Sequence, residues 1–215
     1  MKPKVIFLDA VGTLFGIRGS VGELYGNIAR QFGVEVSTPV LNHAFVKSFQ
    51  ATPPLAFPDA APDRIQALEY EWWNEVAQQT FQRAGVLEQF KSFRRFFTHL
   101  YDYFATAEPW IVYEDTAEFL EELQKMDVDL GVLSNFDSRI YQVLETLKLA
   151  DFFQTVTISS EVGAAKPDPK IFAAALAKHR CEPSQAWHVG DSFREDYEGA
   201  RAAGLRGIWL RRSSG

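Results

Sequence analysis

Hydrophobic residues follow two different spacings along this chain. Short and nearly continuous apolar runs are typical of buried parallel strands, and they occur once near the start of the chain and repeatedly in its second half. In chain order the runs are 5–8, 127–133, 155–158, 186–189 and 207–210. Stretches with the three- and four-residue spacing of helices separate the later runs. Strands that alternate with helices predict an α/β fold with a doubly wound parallel sheet.

The segment from about residue 20 to 105 has only the helical spacing. Aromatic and aliphatic residues recur at every third or fourth position over 93–104, and a second helix is predicted over 62–82, which contains Trp72 and Trp73. Prolines in 51–58 predict a loop between helices. We expect a module of roughly four helices here.

These two patterns divide the chain into two predicted domains. An α/β core is expected from residues 1–15 and 109–215, and a helical cap from residues 16–108 interrupts it. The chain crosses between them near Phe15-Gly16 and near Pro109, which are the predicted hinges.

Composition limits the kinds of partner. The 215 residues are 47% hydrophobic, enough for a sizeable core, and the net charge of -6 argues against nucleic acid as an obligate partner. No apolar run approaches the ~18 residues of a membrane span, so no membrane partner and a cytoplasmic protein are expected, as a monomer or homodimer. The single cysteine, Cys181, lacks the spaced partners of a zinc site and is interpreted as a passive thiol.

Polar residues stand where three of the predicted strands end. Asp9 follows 5–8, Ser134 follows 127–133, and Gly190-Asp191 follows 186–189, while Lys166 lies in a proline-flanked loop between the last two. Open α/β sheets bind ligands at the carboxyl ends of their strands. These residues are therefore candidates for one shared site.

In order and spacing, these four segments resemble the four motifs of the haloacid dehalogenase-like (HAD) hydrolase superfamily. The resemblance covers nearly the whole chain. The subfamily with a helical cap inserted just after the first motif is most similar, in the branch where Val follows the nucleophile by two residues, as Val11 follows Asp9. It implies a Rossmann-like core and a small phosphorylated molecule as substrate.

The resemblance also implies roles for individual residues. Asp9 is the expected nucleophile, and Lys166 supplies a fixed positive charge that acts in catalysis and in phosphate binding. A Mg²⁺ ion is expected between Asp9, the backbone carbonyl of Val11 and Asp191. Phosphoryl oxygens are expected to bind the hydroxyls and backbone N–H groups of Gly12, Thr13, Ser134 and Asn135. Asp196 is expected to cap a short helix over 196–203 or to orient Lys166 rather than bind metal.

Val11 is a departure from the phosphatase pattern, in which a second Asp at this position protonates the leaving group. General acid catalysis contributes ~10²–10⁴ in rate, so its loss favours substrates with good leaving groups. Two alternatives therefore stay open. One is a 2-haloacid dehalogenase, which needs no such acid but also no metal, and which Gly190-Asp191 disfavours. The other is a catalytically idle protein that binds a ligand or a partner through its cap.

Overall fold

A five-stranded parallel sheet forms the centre of the molecule, in a computed structural model that describes residues 2–212. Its strands are β1 (Val5–Leu8), β4 (Asp129–Ser134), β5 (Thr155–Ile158), β6 (Ala186–Gly190) and β7 (Arg206–Trp209). Their order in the sheet is β5-β4-β1-β6-β7, and neighbouring strands are parallel throughout. The predicted parallel α/β sheet is confirmed, with strand ends that differ by one or two residues.

Strand β1 lies in the middle of this sheet and is buried along its whole length. Because side chains alternate along a strand, Val5 and Phe7 enter one hydrophobic cluster and Ile6 and Leu8 enter another. The sheet is therefore covered on both faces, which explains the continuous apolar run in the sequence. Asp9 follows directly at the carboxyl end, where its N–H donates to the carbonyl of Val189 at 2.9 Å.

The helix before β4 and the helices after β4, β5 and β6 cover the sheet. Asp168 caps one of them by accepting the N–H of Lys170 at 2.9 Å, and Pro169 lies in its first turn, a combination that is typical of helix starts. The core helices are α5 (Thr116–Lys125), α6 (Arg139–Thr146), α7 (Ser159–Val162), α8 (Pro169–His179) and α9 (Gly199–Ala202). The prediction of a helix over 196–203 is wrong at its start, because a π-helical turn, Phe193–Glu198, precedes α9.

Four further helices pack around a hydrophobic cluster of their own. It contains Tyr25, Leu41 and Phe81, together with Phe96 and Leu100. The helices are α1 (Val21–Gln31), α2 (Thr38–Ala51), α3 (Ile65–Arg83) and α4 (Phe93–Tyr103). Within residues 2–212, no helix combines the length and the apolar character that a membrane crossing requires. The exact boundary between a core and a cap domain stays a prediction.

A short antiparallel ladder joins the two connections between these helices and the sheet. Strand β2 (Phe15–Ile17) pairs with β3 (Trp110–Val112), and the Arg18 guanidinium donates to the carbonyls of Glu108 and Trp110. The sequence did not predict this ladder, because three residues are too few to show an alternating pattern. The two predicted hinge regions thus lie side by side.

Candidate active site

Asp9 and Lys166 form a buried ion pair at the carboxyl edge of the sheet. Lys166 Nζ lies 2.7 Å from Asp9 Oδ1, and the two residues are 4% and 7% exposed. The ammonium also donates to the carbonyl of Leu133 at 3.0 Å, near the end of β4. These bonds fix the position of the positive charge beside the carboxylate.

Asp196 is a second partner of the same ammonium. Its Oδ1 lies 2.5 Å from Lys166 Nζ, and its side chain is almost fully buried. Burial by itself lowers the pKa of Lys166, but the charges of Asp9 and Asp196 outweigh it, and the net effect raises that pKa. Lys166 is therefore held as a cation between two carboxylates.

His188 completes this buried chain of contacts. Its Nε2 lies 2.8 Å from Asp196 Oδ1, and burial lowers the pKa of the imidazole, so the ring is neutral and donates through Nε2. Burial opposes ionisation of Asp196, yet Lys166 and the bond from His188 hold the pKa of Asp196 well below its usual value. Ser192, rather than Asp196, is the N-cap of the π-helical turn, although its N–H does donate to Asp196 Oδ2 at 2.9 Å. The contact with Lys166 thus favours the orienting role for Asp196.

Asp191 lies on the exposed side of this cluster. Asp9, Asp191 and Asp196 each offer a carboxylate oxygen, and these oxygens lie within 4.8 Å of one another. Partial burial, followed by the negative charges of Asp9 and Asp196, raises the pKa of Asp191 to about 6. Three carboxylates facing one ammonium leave an excess of negative charge, which suits a divalent cation.

Two glycines make room for these carboxylates. Gly12 has φ of +89°, and a Cβ placed on it would overlap the carboxylate of Asp191. A Cβ on Gly190 would overlap the carboxylate of Asp196 in the same way. At both positions the backbone lies so close to a carboxylate that a larger residue would overlap it. Gly12 also adopts a left-handed conformation, which favours glycine.

Thr13 and Ser134 are both buried, each 3% exposed. Thr13 Oγ1 is buried, and within residues 2–212 it has no hydrogen-bond partner. A buried hydroxyl without a partner is costly unless a ligand or water satisfies it. Arg212 holds this loop from outside by donating to the carbonyl of Thr13 at 2.6 Å, a contact that no sequence signal indicated.

Asn135 reaches across from the end of β4 to the lysine segment. Its Oδ1 accepts the N–H of Lys166 at 2.7 Å, and its Nδ2 donates to the Lys166 carbonyl at 3.0 Å. Nδ2 also lies 3.2 Å from Oε2 of Glu195, whose pKa is raised by burial. The Asn135 side chain therefore positions the lysine, a role that the sequence did not indicate.

Val11 contributes no acidic group to the site. Its half-buried side chain packs against the core hydrophobic cluster, and Val11 forms a bridge to Phe15 as the loop turns back. Asp9, Lys166 and Asp191 nevertheless lie together, and Gly12 approaches the carboxylate of Asp191. Ser134 is the last residue of β4, and parallel strands bring their carboxyl ends to the same edge. A buried carboxylate beside a fixed ammonium can act as a nucleophile towards an electrophile that enters from the Asp191 side.

Comparison with known proteins places these residues in a family context. A family model described as haloacid dehalogenase-like hydrolase matches residues 3–204. Haloacid dehalogenase-like hydrolase domain-containing protein 3 of Bos taurus is 35% identical over 205 residues, which are 95% of this chain and 80% of that protein.

Solved structures with a similar fold include proteins that are named for different activities. A HAD phosphatase from Thermococcus onnurineus has a TM-score of 0.65 and 24% identity, covering 100% of this chain and 88% of that chain. The L-2-haloacid dehalogenase from Xanthobacter autotrophicus has a TM-score of 0.66 and 18% identity, covering 94% and 75%. At these identities the likeness concerns the fold, and the residues of the site must decide the chemistry.

Proposed function

Because the chain belongs to the haloacid dehalogenase-like hydrolase family, we propose that it hydrolyses a small phosphorylated metabolite with the help of Mg²⁺. The observation that carries this proposal is the group of carboxylates Asp9, Asp191 and Asp196 around one buried ammonium. The family alone supports a hydrolase, and the acidic cluster is what favours metal-assisted phosphate chemistry over halide displacement.

Asp9 is the proposed nucleophile. A carboxylate oxygen of Asp9 attacks phosphorus, the bond from phosphorus to the leaving oxygen breaks, and an aspartyl-phosphate forms. Water then attacks this phosphate, releases inorganic phosphate and restores the carboxylate. Lys166, 2.7 Å from Asp9 Oδ1, offsets the negative charge that builds up in both steps.

The donor set fits a magnesium ion. Mg²⁺ prefers oxygen ligands, and we propose Asp9, Asp191 and the carbonyl of Val11 as the groups that hold it. Burial and the negative charges of Asp9 and Asp196 raise the pKa of Asp191 to about 6, and a divalent cation would offset that repulsion. When bound, the ion would supply charge neutralisation between the carboxylates and the phosphoryl oxygens.

The phosphoryl group is proposed to bind the hydroxyls of Thr13 and Ser134 and the backbone N–H of Asn135. The unpartnered hydroxyl of Thr13 supports this, since a phosphoryl oxygen would satisfy it. The expected role of the Gly12 N–H in phosphate binding is not kept, because this group donates to the carbonyl of Phe15 at 2.8 Å. The helical segment 16–108 is proposed as the cap that covers the site and selects the rest of the substrate.

The side chain of Val11 narrows the substrate class. It offers no proton to a departing alkoxide, so the proposed substrates are those whose leaving group departs without help, such as acyl or aryl phosphates. Sugar phosphates are expected to react slowly.

Acetyl phosphate and p-nitrophenyl phosphate, each with Mg²⁺ and with EDTA, test the proposal directly. We expect turnover that depends on Mg²⁺ and is abolished in Asp9→Asn, while the exposed control Asp63→Asn retains it. Activity that persists in Asp9→Asn, or in EDTA, would contradict the proposed chemistry.

One observation favours a second candidate, 2-haloacid dehalogenation. Val11 suits it, because halide leaves without a proton. The exposed Asp191 opposes it, because an uncompensated carboxylate near Asp9 repels the anionic substrate. Chloride release from 2-chloropropionate in EDTA would establish this activity, and its absence would exclude it.

A further inference from the structure

Glu69 is an acidic residue of α3 that has no access to solvent. Its Oε1 accepts the N–H of Ser138 at 2.9 Å and the hydroxyl of Ser160 at 2.6 Å, and its Oε2 accepts the hydroxyl of Ser138. Within residues 2–212 no lysine, arginine or histidine forms an ion pair with it. The carboxylate is thus stabilised by hydrogen bonds alone.

All three donors lie outside the helical segment: two belong to Ser138 in the loop before α6 and one to Ser160 in α7. Burying a carboxylate is costly unless such bonds are made. Burial raises the pKa of Glu69, and the bonds from Ser138 and Ser160 oppose that rise. The position of Glu69 therefore depends on how α3 rests on the loop 135–139 and on α7.

The same loop makes a second, reciprocal contact with the helical segment. Trp73 of α3 donates its indole N–H to Asp137 Oδ2 at 2.6 Å. Arg139 pairs with the same carboxylate at 2.7 Å, donates to the carbonyl of Tyr101 at 3.0 Å, and lies 3.8 Å from the centre of the Tyr101 ring. Asp137 is fully buried. Helices α3 and α4 thus bind the loop at 137–139 through directional bonds.

The other end of this loop binds the active site. Asn135 accepts the N–H of Lys166 at 2.7 Å and donates to its carbonyl at 3.0 Å. Only Phe136 separates Asn135 from Asp137. A shift of the loop at Ser138 is therefore expected to reach the backbone of Lys166, which Glu69 does not touch.

We infer that Glu69 is a positioning residue for the active site: by holding Ser138 and Ser160 it keeps the loop 135–139 in the arrangement in which Asn135 holds Lys166. The expected effect on turnover rests on the proposed function. The effect of Glu69 on the position of Lys166 does not rest on it, and this effect can be measured without any substrate.

The rate of amide hydrogen exchange, measured by NMR at single residues, tests whether Glu69 affects Lys166. In Glu69→Ala we expect exchange at the Lys166 N–H to become about tenfold faster, because local opening of the loop becomes easier. Glu69→Gln keeps a carbonyl for Ser138 N–H and Ser160, and an amide group that can donate to the Ser138 hydroxyl, so it should restore slow exchange. Glu71→Ala, an exposed position on the same helix, is the matched control and should leave Lys166 unchanged.

A merely local structural contact would change exchange at Ser138 but not at Lys166. Unchanged exchange at Lys166 in folded Glu69→Ala would overturn the inference. If that variant does not fold, Ser160→Ala removes one of the three bonds, and it must speed exchange at Lys166 in the same direction for the inference to stand.

Activity separates this inference from the proposed function. If acetyl phosphate is not hydrolysed by the wild-type chain, the proposed function fails while the exchange result still decides the role of Glu69. If it is hydrolysed, Glu69→Ala should lower kcat about tenfold, with Glu69→Gln close to wild type.

Discussion

Lys166 Nζ lies 2.5 Å from Asp196 Oδ1, closer than the 2.7 Å that separates it from the proposed nucleophile. The ammonium of the lysine is thus held by the carboxylate of Asp196, which in turn accepts a hydrogen bond from His188. A charge fixed in this way needs no rearrangement during a reaction, which is how preorganised groups stabilise transition states.

Asp196→Asn should lower both the stability of the protein and its rate of turnover. Breaking a buried ion pair costs about 3 kcal/mol, and we expect that loss at pH 7 together with lower turnover of acetyl phosphate. Because the pKa of Asp196 lies below its ordinary value of 3.8, its stabilising effect is present above about pH 4 and is lost in more acidic solution. Urea unfolding at pH 7 and pH 3 tests this, since the difference from wild type should shrink at pH 3. Glu198→Gln, exposed in the same turn, is the control.

Asp191→Asn should make the metal-free protein more stable. The pKa of Asp191 is raised from 3.8 to about 6, so the folded chain holds this proton better than the unfolded chain does. Stability therefore falls as the pH rises from about 4 to about 6, and the amide removes that fall. With allowance for solvent screening, the gain at pH 7.5 is roughly 1 kcal/mol.

Thermal melts in EDTA at pH 7.5 and pH 4 measure this effect. The variant should melt higher than wild type at pH 7.5 and equally at pH 4, and it should lose stabilisation by Mg²⁺. A lower melting temperature of the variant at pH 7.5 would mean that burial and the acidic neighbours do not destabilise the ionised Asp191.

Gly12→Ala should abolish activity because its Cβ displaces the carboxylate of Asp191, and not only because it strains the backbone. A left-handed non-glycine residue costs about 1–3 kcal/mol, and a Cβ at this position would also overlap Asp191. Gly33→Ala is the matched control, because Gly33 has φ of +79° with open space around its Cβ. Gly33→Ala should lose only the cost of the left-handed backbone in denaturant unfolding, and Gly12→Ala should lose at least as much. Only Gly12→Ala should lose turnover and Mg²⁺ binding.

Val11→Asp should raise turnover of alkyl phosphates by roughly tenfold or more, since an acid at this position can protonate the leaving alkoxide. Acetyl phosphate, whose leaving group needs no proton, should benefit little. Steady-state rates with both substrates decide this, and Val11→Asn, which has a similar shape but no acidic proton, should give no gain. Equal gains with both variants would assign the effect to polarity rather than proton transfer.

The sheet could be predicted because its strands are buried on both faces and therefore stand out as apolar runs. Strand β5 was predicted residue for residue, and the end of α8 at a left-handed Arg180 was not, since Arg carries no such signal. The pair β2–β3 was missed because three residues carry no periodicity, and the π-helical turn at 193–198 because its residues favour an ordinary helix equally well.

The site was predictable only as far as chain order allows. Residues at the ends of parallel strands meet by topology, so Asp9, Ser134 and Asp191 could be grouped in advance. The contacts around the lysine could not, because nothing in the sequence indicates that Asn135 bonds the backbone of Lys166 or that His188 bonds Asp196. Such contacts depend on side-chain packing across distant segments.

The central place of β1 has a consequence for biosynthesis. Both neighbours of this strand, β4 and β6, are encoded more than a hundred residues downstream of it. While the ribosome is still synthesising the middle of the chain, neither neighbouring strand exists. The apolar segment Val5–Leu8 therefore stays unpaired in the nascent polypeptide. Chaperones that shield early-emerging apolar stretches should therefore matter more for this protein than for one whose first strand pairs with the next.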